Sequence, residues 1–545
     1  MGNCSTLEKH APLEGSDVSS NASEAPPLLP RAQRVVDHRN DLEREYEIEG
    51  MMHQGKIGVI HRAMHKKLEI RRAVKQVRRS RVVDELWSEE VSVLKDFDHP
   101  HICRLYDTYK GASFLSQTME LCQGLNLMTV CETKQDMLTE SVSAVLVWQM
   151  VSAINYLHGH SVCHGELGPE CFMLSRSYCQ TKPPLCELCL KLIDFGQVGR
   201  FGRSGKVLCT RRMKLRTKIE CQAPEQLAGD GECEAVNGKP CDIWAVGAIA
   251  LFLICGVWPE FNEHNQTVSM PGDRWKKASQ LPKHFVKSCL KVVAEARPTA
   301  SKLFSGWWMS FAKGLFFASL KEAHAKRQKQ GGGKKKSITD APLMDTNTIL
   351  NDFTRMAEQT DLERAAKTVV AHHLPEEKIK HLRQAFQKLD VNGDGQVTAA
   401  ELRKSLKGSK YTPFSDDEIS RLARQIDTDG SGKVDCTEFI ASTYHFENNV
   451  RDSICEAAFR VFDKDNSGSV SVEEIQEILG RENMDPTDED ALEQLIGDAD
   501  RDGNGEIDIE EFKRMLRGKG SAGLPEKREK AGVSNTRARK RIGGG

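Results

Sequence analysis

A surplus of either charge sign is missing from this sequence: 77 Lys and Arg stand against 78 Asp and Glu, a formal net charge of −1. That balance removes any global electrostatic case for nucleic-acid binding. It hides a division, because acidic residues crowd the last third while basic runs occupy 326–336 and the segment after Arg514. Also missing are an apolar run of membrane-spanning length and a secretory h-region, so neither an embedded nor an exported chain is expected. The 17 cysteines are scattered and read as reduced cytosolic thiols. Cys186 and Cys189 have CxxC spacing, yet no second pair or matching histidines stand where a zinc site needs them. Cys189 instead falls in an apolar stretch, Leu188 to Ile193, that reads as a strand.

What is present is material for several cores. With 545 residues, 39% apolar and 28% charged, the chain has a folded globular composition and the length for three or four folding units. It opens MGNCST, where Gly2 follows the initiator and Thr6 completes the pattern for N-myristoylation. One myristoyl chain anchors only marginally, but Cys4 offers a thiol for a second acyl chain beside it. The leader after it, 5–33, is rich in Ser, Pro, Glu and Ala and reads as disordered.

Four twelve-residue loops open at Asp390, Asp427, Asp463 and Asp500, a repeat of 36 or 37 residues. A calcium loop needs oxygen donors at positions 1, 3, 5, 7, 9 and 12, glycine at 6 for the sharp turn, and a bidentate glutamate last. The first loop supplies Asp390, Asn392, Asp394, Gly395, Thr398 and Glu401. The second supplies Asp427, Asp429, Ser431, Gly432, Asp435 and Glu438. In the third these are Asp463, Asp465, Ser467, Gly468, Ser471 and Glu474, and in the fourth Asp500, Asp502, Asn504, Gly505, Asp508 and Glu511. Position 7 lends only its carbonyl, so Gln396, Lys433, Ser469 and Glu506 differ freely. Position 8 is Val397, Val434, Val470 and Ile507, suited to the short strand through which loops pair. These are four EF-hands, and glutamate at position 12 favours Ca2+ over Mg2+. Acidic ligands number four in the second and fourth loops, which predicts tighter binding there.

From Tyr46 to Trp308 a second set of motifs follows in order. Arg72-Ala73-Val74-Lys75 precedes a helical stretch holding Glu90; Met119-Glu120-Leu121-Cys122, Asp194-Phe195-Gly196, Ala223-Pro224-Glu225 and Asp242-Ile243-Trp244-Ala245-Val246-Gly247 come after. This segment resembles a protein kinase. The resemblance implies that Lys75 holds the ATP phosphates and pairs with Glu90, that Asp194 carries Mg2+, and that Arg297 pairs with Glu225. It makes Glu120 and Cys122 hinge residues and Gly55, Gly58 and Ile60 part of the glycine-rich loop over the nucleotide. The catalytic loop departs from the family's pattern: it reads His164-Gly165-Glu166-Leu167-Gly168-Pro169-Glu170-Cys171. Glu166 stands for the aspartate base, one methylene longer. Gly168 removes the lysine that steadies the moving phosphoryl group, and Cys171 replaces the asparagine ligand of the second Mg2+. Asn126 stands where many relatives carry a ribose-binding glutamate.

Kinase-like domain followed by four EF-hands is similar to the calcium-dependent protein kinases of plants and apicomplexan parasites. Residues 345–375 add apolar positions at helical spacing, from Ile349 and Phe353 to Val370 and Leu374. The resemblance implies a junction helix there that blocks the kinase at low calcium and is captured by the loaded EF-hands. The expected architecture is an α+β two-lobed kinase-like fold followed by an all-α calmodulin-like domain. Its units are a disordered acylated leader (1–44), the kinase-like domain (45–309), a basic linker and junction helix (310–375), the four EF-hands (376–517) and a basic disordered tail (518–545). The expected cofactors are four Ca2+ ions and ATP with Mg2+. The chain reads as a monomer, cytoplasmic and peripheral on a membrane, with no nucleic-acid partner. Its activity has two readings: a calcium sensor whose kinase-like domain binds ATP but scarcely transfers phosphate, or an active Ser/Thr kinase with Glu166 as base.

Overall fold

The computed structural model describes residues 28–55, 58–178, 183–196, 198–200, 207–208, 219–227, 235–330, 345–406, 413–446, 450–479 and 499–517. The first lobe is a six-stranded sheet in the order β1-β5-β6-β4-β3-β2, from β1 (Val36–His38), β2 (Tyr46–Gln54), β3 (Gly58–His65), β4 (Arg71–Arg78), β5 (Leu105–Lys110) and β6 (Phe114–Met119). Lys75 on β4 lies opposite Ile60 on β3 and Gln117 on β6. The helix Arg81–Lys95, capped at Ser80 by the bond from Val83 N, buries Trp87, Val91, Leu94 and Glu90 toward that sheet. β1 corrects the expectation of a disordered leader through residue 44. It adds to the sheet edge in parallel with β5, Val36 opposite Asp107, and Leu29 just before it is fully buried.

The second lobe is helical. Helix Glu140–Gly159 is buried on almost every face, between helix Gly238–Cys255 and helix Trp307–Gln330. Gly238–Cys255 corrects the reading that no apolar run is long enough to cross a membrane: 18 residues at mean hydropathy 1.5 pass that test. Because 89% of that stretch is buried within the protein, its apolarity builds a core. Trp307–Gln330 runs across the boundary expected at 309, burying Trp308, Met309, Ala312, Phe316 and Leu320 against the lobe. The start of the expected linker, 326–330, is helical as well.

The expected junction helix is two helices, Thr346–Ala357 and Asp361–His373. The break comes from Thr360, whose side chain and that of Glu363 bond each other's backbone N–H groups and start a new helix. Both sit inside the core of the EF-hand region, where Phe353 and Phe386 each pack edge-on to Phe439, with ring centroids 6.1 and 5.6 Å away. The junction helices are therefore part of the packed core of the EF-hand region. Full burial of each such ring contributes about 1.5–3 kcal/mol.

Candidate calcium loops and nucleotide cleft

The four loops repeat one internal frame. In each, the position-12 glutamate accepts from the N–H of position 2 through one oxygen and of position 9 through the other. These bonds measure 2.9 and 3.0 Å at Glu401, 2.8 and 2.9 Å at Glu438, 2.8 and 2.9 Å at Glu474, and 2.9 and 3.1 Å at Glu511. The position-1 carboxylates of Asp390, Asp427, Asp463 and Asp500 accept from the N–H of position 6 at 2.7–3.1 Å. That closure needs a left-handed residue at position 6, met by Gly395, Gly432, Gly468 and Gly505 at φ 75–93°. Asp394 accepts from Gln396 N, and Asn504 from Glu506 N, so the position-7 carbonyls lie on the same turn. Loops pair as expected: Val397 and Val434 exchange backbone bonds of 2.8 and 3.0 Å, and Ser469–Ser471 pairs with Glu506–Asp508, Val470 opposite Ile507.

The donor set fits a divalent cation. Asp427, Asp429 and Glu438 each present an oxygen within 4.8 Å of the others, as do Asp463, Asp465 and Glu474, and Asp500, Asp502 and Glu511. Burial, then the carboxylate of Asp429, pushes Asp427 up to about 7. Burial and Asp394 do the same to Asp390. Crowded carboxylates of this kind are strained by their own repulsion, and a bound Ca2+ removes that strain. Loops one and two meet other cations. Lys433 Nζ reaches Asp394 Oδ2 at 3.0 Å, and two arginines of the leader reach the second loop.

In the cleft, Lys75 Nζ lies 2.6 and 2.8 Å from the Glu90 oxygens and 3.7 Å from Asp194 Oδ1. Gln117 Nε2 donates to Glu90 at 2.9 Å, holding the carboxylate in place. This triad fits Mg–ATP: Lys75 for the phosphates and the exposed Asp194 for the metal. Gly58 has a structural duty, since a Cβ there would sit 2.4 Å from Gln76 O on the neighbouring strand. At the expected hinge, Cys122 is buried and Glu120 partly buried. Glu120 turns its side chain away to Lys191 (2.9 Å) and Arg104 (4.0 Å), so only its backbone is left for a nucleotide. Burial alone would raise the Glu120 carboxyl; those cations outweigh it and hold it at about 2. Asn126 caps a helix, accepting from Thr129 N at 2.8 Å, which explains an asparagine there without a ribose.

The catalytic loop keeps its frame while its chemical groups have changed. Asp242 accepts from His164 N and Gly165 N, both at 2.9 Å, and His164 Nε2 donates to Asp194 O at 2.5 Å. Sequence reasoning named Asp242 only as framework; here it fastens the loop. Arg297 grips Glu225 with bonds of 2.6 and 2.8 Å, as expected. Cys171 donates its thiol to Glu166 O at 3.4 Å, and burial with Asp194 nearby raises it well above its usual range. A protonated, donating thiol is no ligand for Mg2+. At Gly168 a Cβ would stand 2.7 Å from Glu170 Oε2, so the lysine's place is partly filled by Glu170.

The EF-hand region docks on both lobes, behind the hinge and away from the cleft. Arg104 Nη1 donates to His372 O (2.9 Å), His372 Nε2 to Leu105 O (2.8 Å) and Gln384 Nε2 to Cys186 O (2.9 Å). Asn155 Nδ2 donates to Gly393 O at 3.1 Å in the first calcium loop. Gly2, Cys4, the linker 331–344 and the tail 518–545 lie outside the described residues.

The chain matches the protein kinase domain family over residues 46–309 and the EF-hand domain pair family over 379–444 and 451–517. It is 26% identical over 501 residues to "Calcium-dependent protein kinase 3" of Plasmodium berghei, covering 89% of this chain and 82% of that one. It is 26% identical over 541 residues to "Calcium-dependent protein kinase 5" of Plasmodium falciparum, covering 95% and 85%. To "Calcium-dependent protein kinase 17" of Arabidopsis thaliana it is 27% identical over 534 residues, covering 95% and 91%.

Proposed function

Because the chain belongs to the calcium-dependent protein kinase family, we propose that it is a calcium-driven binding switch whose kinase-like half holds ATP but transfers phosphate weakly or not at all. One observation carries this reading: an intact Lys75–Glu90–Asp194 triad beside a catalytic loop that has lost its groups for charge and second metal. Bound ATP would place its phosphates at Lys75 and its metal at Asp194. Three changed groups then act together, since Glu166 displaces the base, Gly168 offers no cation, and Cys171 offers a neutral thiol. Bound Ca2+ at the four loops would supply the charge that keeps the EF-hand helices open around Phe353 and its neighbours. The output is then the docked surface, not a phosphorylated product. Acylation at Gly2 and Cys4 would hold the switch on a cytoplasmic membrane face.

The second reading, an active Ca2+-dependent Ser/Thr kinase, is favoured by the Asp242 bonds that keep the loop in place and by the carboxylate that Glu166 retains. Radiolabelled phosphate transfer by the full-length protein, to itself and to a basic peptide, separates the two. Both calcium and chelator are needed, with Asp194→Ala as control. Transfer that needs calcium and disappears in the control makes Glu166 the base and overturns the switch reading. No transfer, with an ATP analogue still bound by calorimetry, supports it. For the anchor, incorporation of labelled myristate that Gly2→Ala abolishes is the expected result.

A further inference from the structure

The segment Leu29–Arg34 lies on the second calcium loop. Leu29 is fully buried in the EF-hand core, and its N–H donates to Thr428 O at 2.7 Å, at position 2 of that loop. One helical turn, Arg31–Arg34, then places two guanidinium groups side by side. Arg31 pairs with Asp429 and, at 3.2 Å, with Asp435 Oδ2. Arg34, only 1% exposed, reaches Asp435 Oδ2 at 3.0 Å and Glu438 Oε1 at 3.5 Å. These are the residues at positions 3, 9 and 12, three of the loop's four acidic ligands. The kinase-like domain closes the far side: Asp98 takes Arg34 at 3.2 Å and accepts from Thr437 N at 2.9 Å. Among the described residues, no guanidinium pairs with a ligand carboxylate of the other three loops.

We infer that this segment is the chain's own ligand for the second calcium loop, with Arg31 and Arg34 as tethered rivals of the ion. The inference rests on the calcium reading of that loop. A divalent ion among Asp427, Asp429, Asp435 and Glu438 stands beside both guanidiniums, and at such separations like charges repel strongly in a buried site. It also draws on the oxygens that the arginines engage. Ion and segment therefore weaken each other, and by linkage each lowers the other's affinity by the same factor. Calcium at the second loop loosens the strap that ties the leader to both halves of the molecule. The four acidic ligands that promise the tightest binding then work as a late site, filled after the fourth loop, which has as many acidic ligands and, among the described residues, no such rival.

Hydrogen exchange on the full-length protein tests this, first in the unsubstituted chain and then with the loop's closing glutamate replaced. Amides 28–38 are expected to exchange faster as calcium saturates, and that change is expected to vanish in Glu438→Gln. Flow dialysis with labelled calcium is the second measurement. The Arg31→Gln/Arg34→Gln variant is expected to bind its second-loop ion roughly tenfold more tightly, within the usual range of coupled sites. Greater protection of 28–38 with calcium would overturn the rivalry, because it means the arginines fasten the leader to a loaded loop. An unchanged or weaker affinity in the double variant would do the same. If Glu438→Gln leaves the number of bound ions unchanged, the calcium reading of the loop falls, and the inference with it.

Discussion

Acidification should undock the junction from the hinge, and His372 sets the size of the effect. His372 lies in the last turn of the second junction helix with its ring buried against the first lobe, Nε2–H donating to Leu105 O. Burial, then the Arg104 guanidinium, holds it down at about 3; Arg34 and Arg72 push the same way, and His373 beside it is also lowered. The bond to Leu105 O partly opposes the shift at His372, and Asp107 does so at His373. A histidine lowered in the docked state favours docking fully above its free value near 6.5, and that contribution is lost as pH falls toward the docked value. Between pH 7 and pH 5 the undocked ring takes up a proton that the docked ring refuses, which costs about 2 kcal/mol, or roughly thirtyfold in the docking equilibrium. The assay is hydrogen exchange of amides 361–374 at saturating calcium, corrected for intrinsic rates, in the wild type and in His372→Gln. Glutamine keeps a donor for Leu105 O and has no proton to gain, so its pH dependence should be shallower by that factor. Any pH effect on calcium binding is common to both proteins. Equal slopes would refute the reasoning.

Three further outcomes follow from the same geometry. Lys75→Met should lower the affinity for an ATP analogue by roughly ten- to hundredfold in calorimetry, the worth of a charge-assisted contact, and an unchanged affinity would mean that the Glu90 pair only braces the lobe. Glu511→Gln should release one calcium per chain in equilibrium dialysis, because the bidentate closure of the fourth loop is gone; full stoichiometry would rule out that ligand role. Phe353→Ala should destabilise the calcium-loaded EF-hand region by about 3–5 kcal/mol, read as an earlier unfolding midpoint in urea, since Phe353 is fully buried. A midpoint that does not move would show the junction helices outside the folded core.

The loops and motifs were legible in the sequence because their chemistry is local. Asp390 and Glu401 must be eleven residues apart to close around one ion, so spacing alone carries the geometry. Lys75, Glu90 and Asp194 are distant in sequence, but their order and flanking residues reproduce a known framework, and the structure brings them together. What stayed hidden depends on neighbours that no local pattern encodes. The junction's apolar spacing continues past Thr360, and only the reciprocal Thr360–Glu363 bonds split it. Asn126 looked like a lost ribose contact and is a helix cap. Arg31 and Arg34 sat in a leader whose composition suggests disorder, and their partners lie some 400 residues away, at Asp435 and Glu438.

Why a kinase-like domain would keep its nucleotide site while its catalytic groups change is answered by where the EF-hand region docks. The docking surface is divided between lobes: Arg104 and Leu105 come from the first, Asn155 from the second. Those contacts bridge the two lobes, so satisfying them together constrains the lobe-to-lobe angle. A nucleotide held between Lys75 above and Asp194 below would bridge the same two lobes, whether or not its phosphate moved. Glu120 joins the two sides, its backbone in the hinge and its side chain on Lys191 and Arg104, and Arg104 in turn bonds the end of the junction helix at His372 O. Loss of the Gly168 lysine and the Cys171 asparagine leaves this chain of contacts untouched, whereas loss of Lys75 would loosen it. Nucleotide and docked region would thus bear on the same two lobes, through contacts that include neither Gly168 nor Cys171.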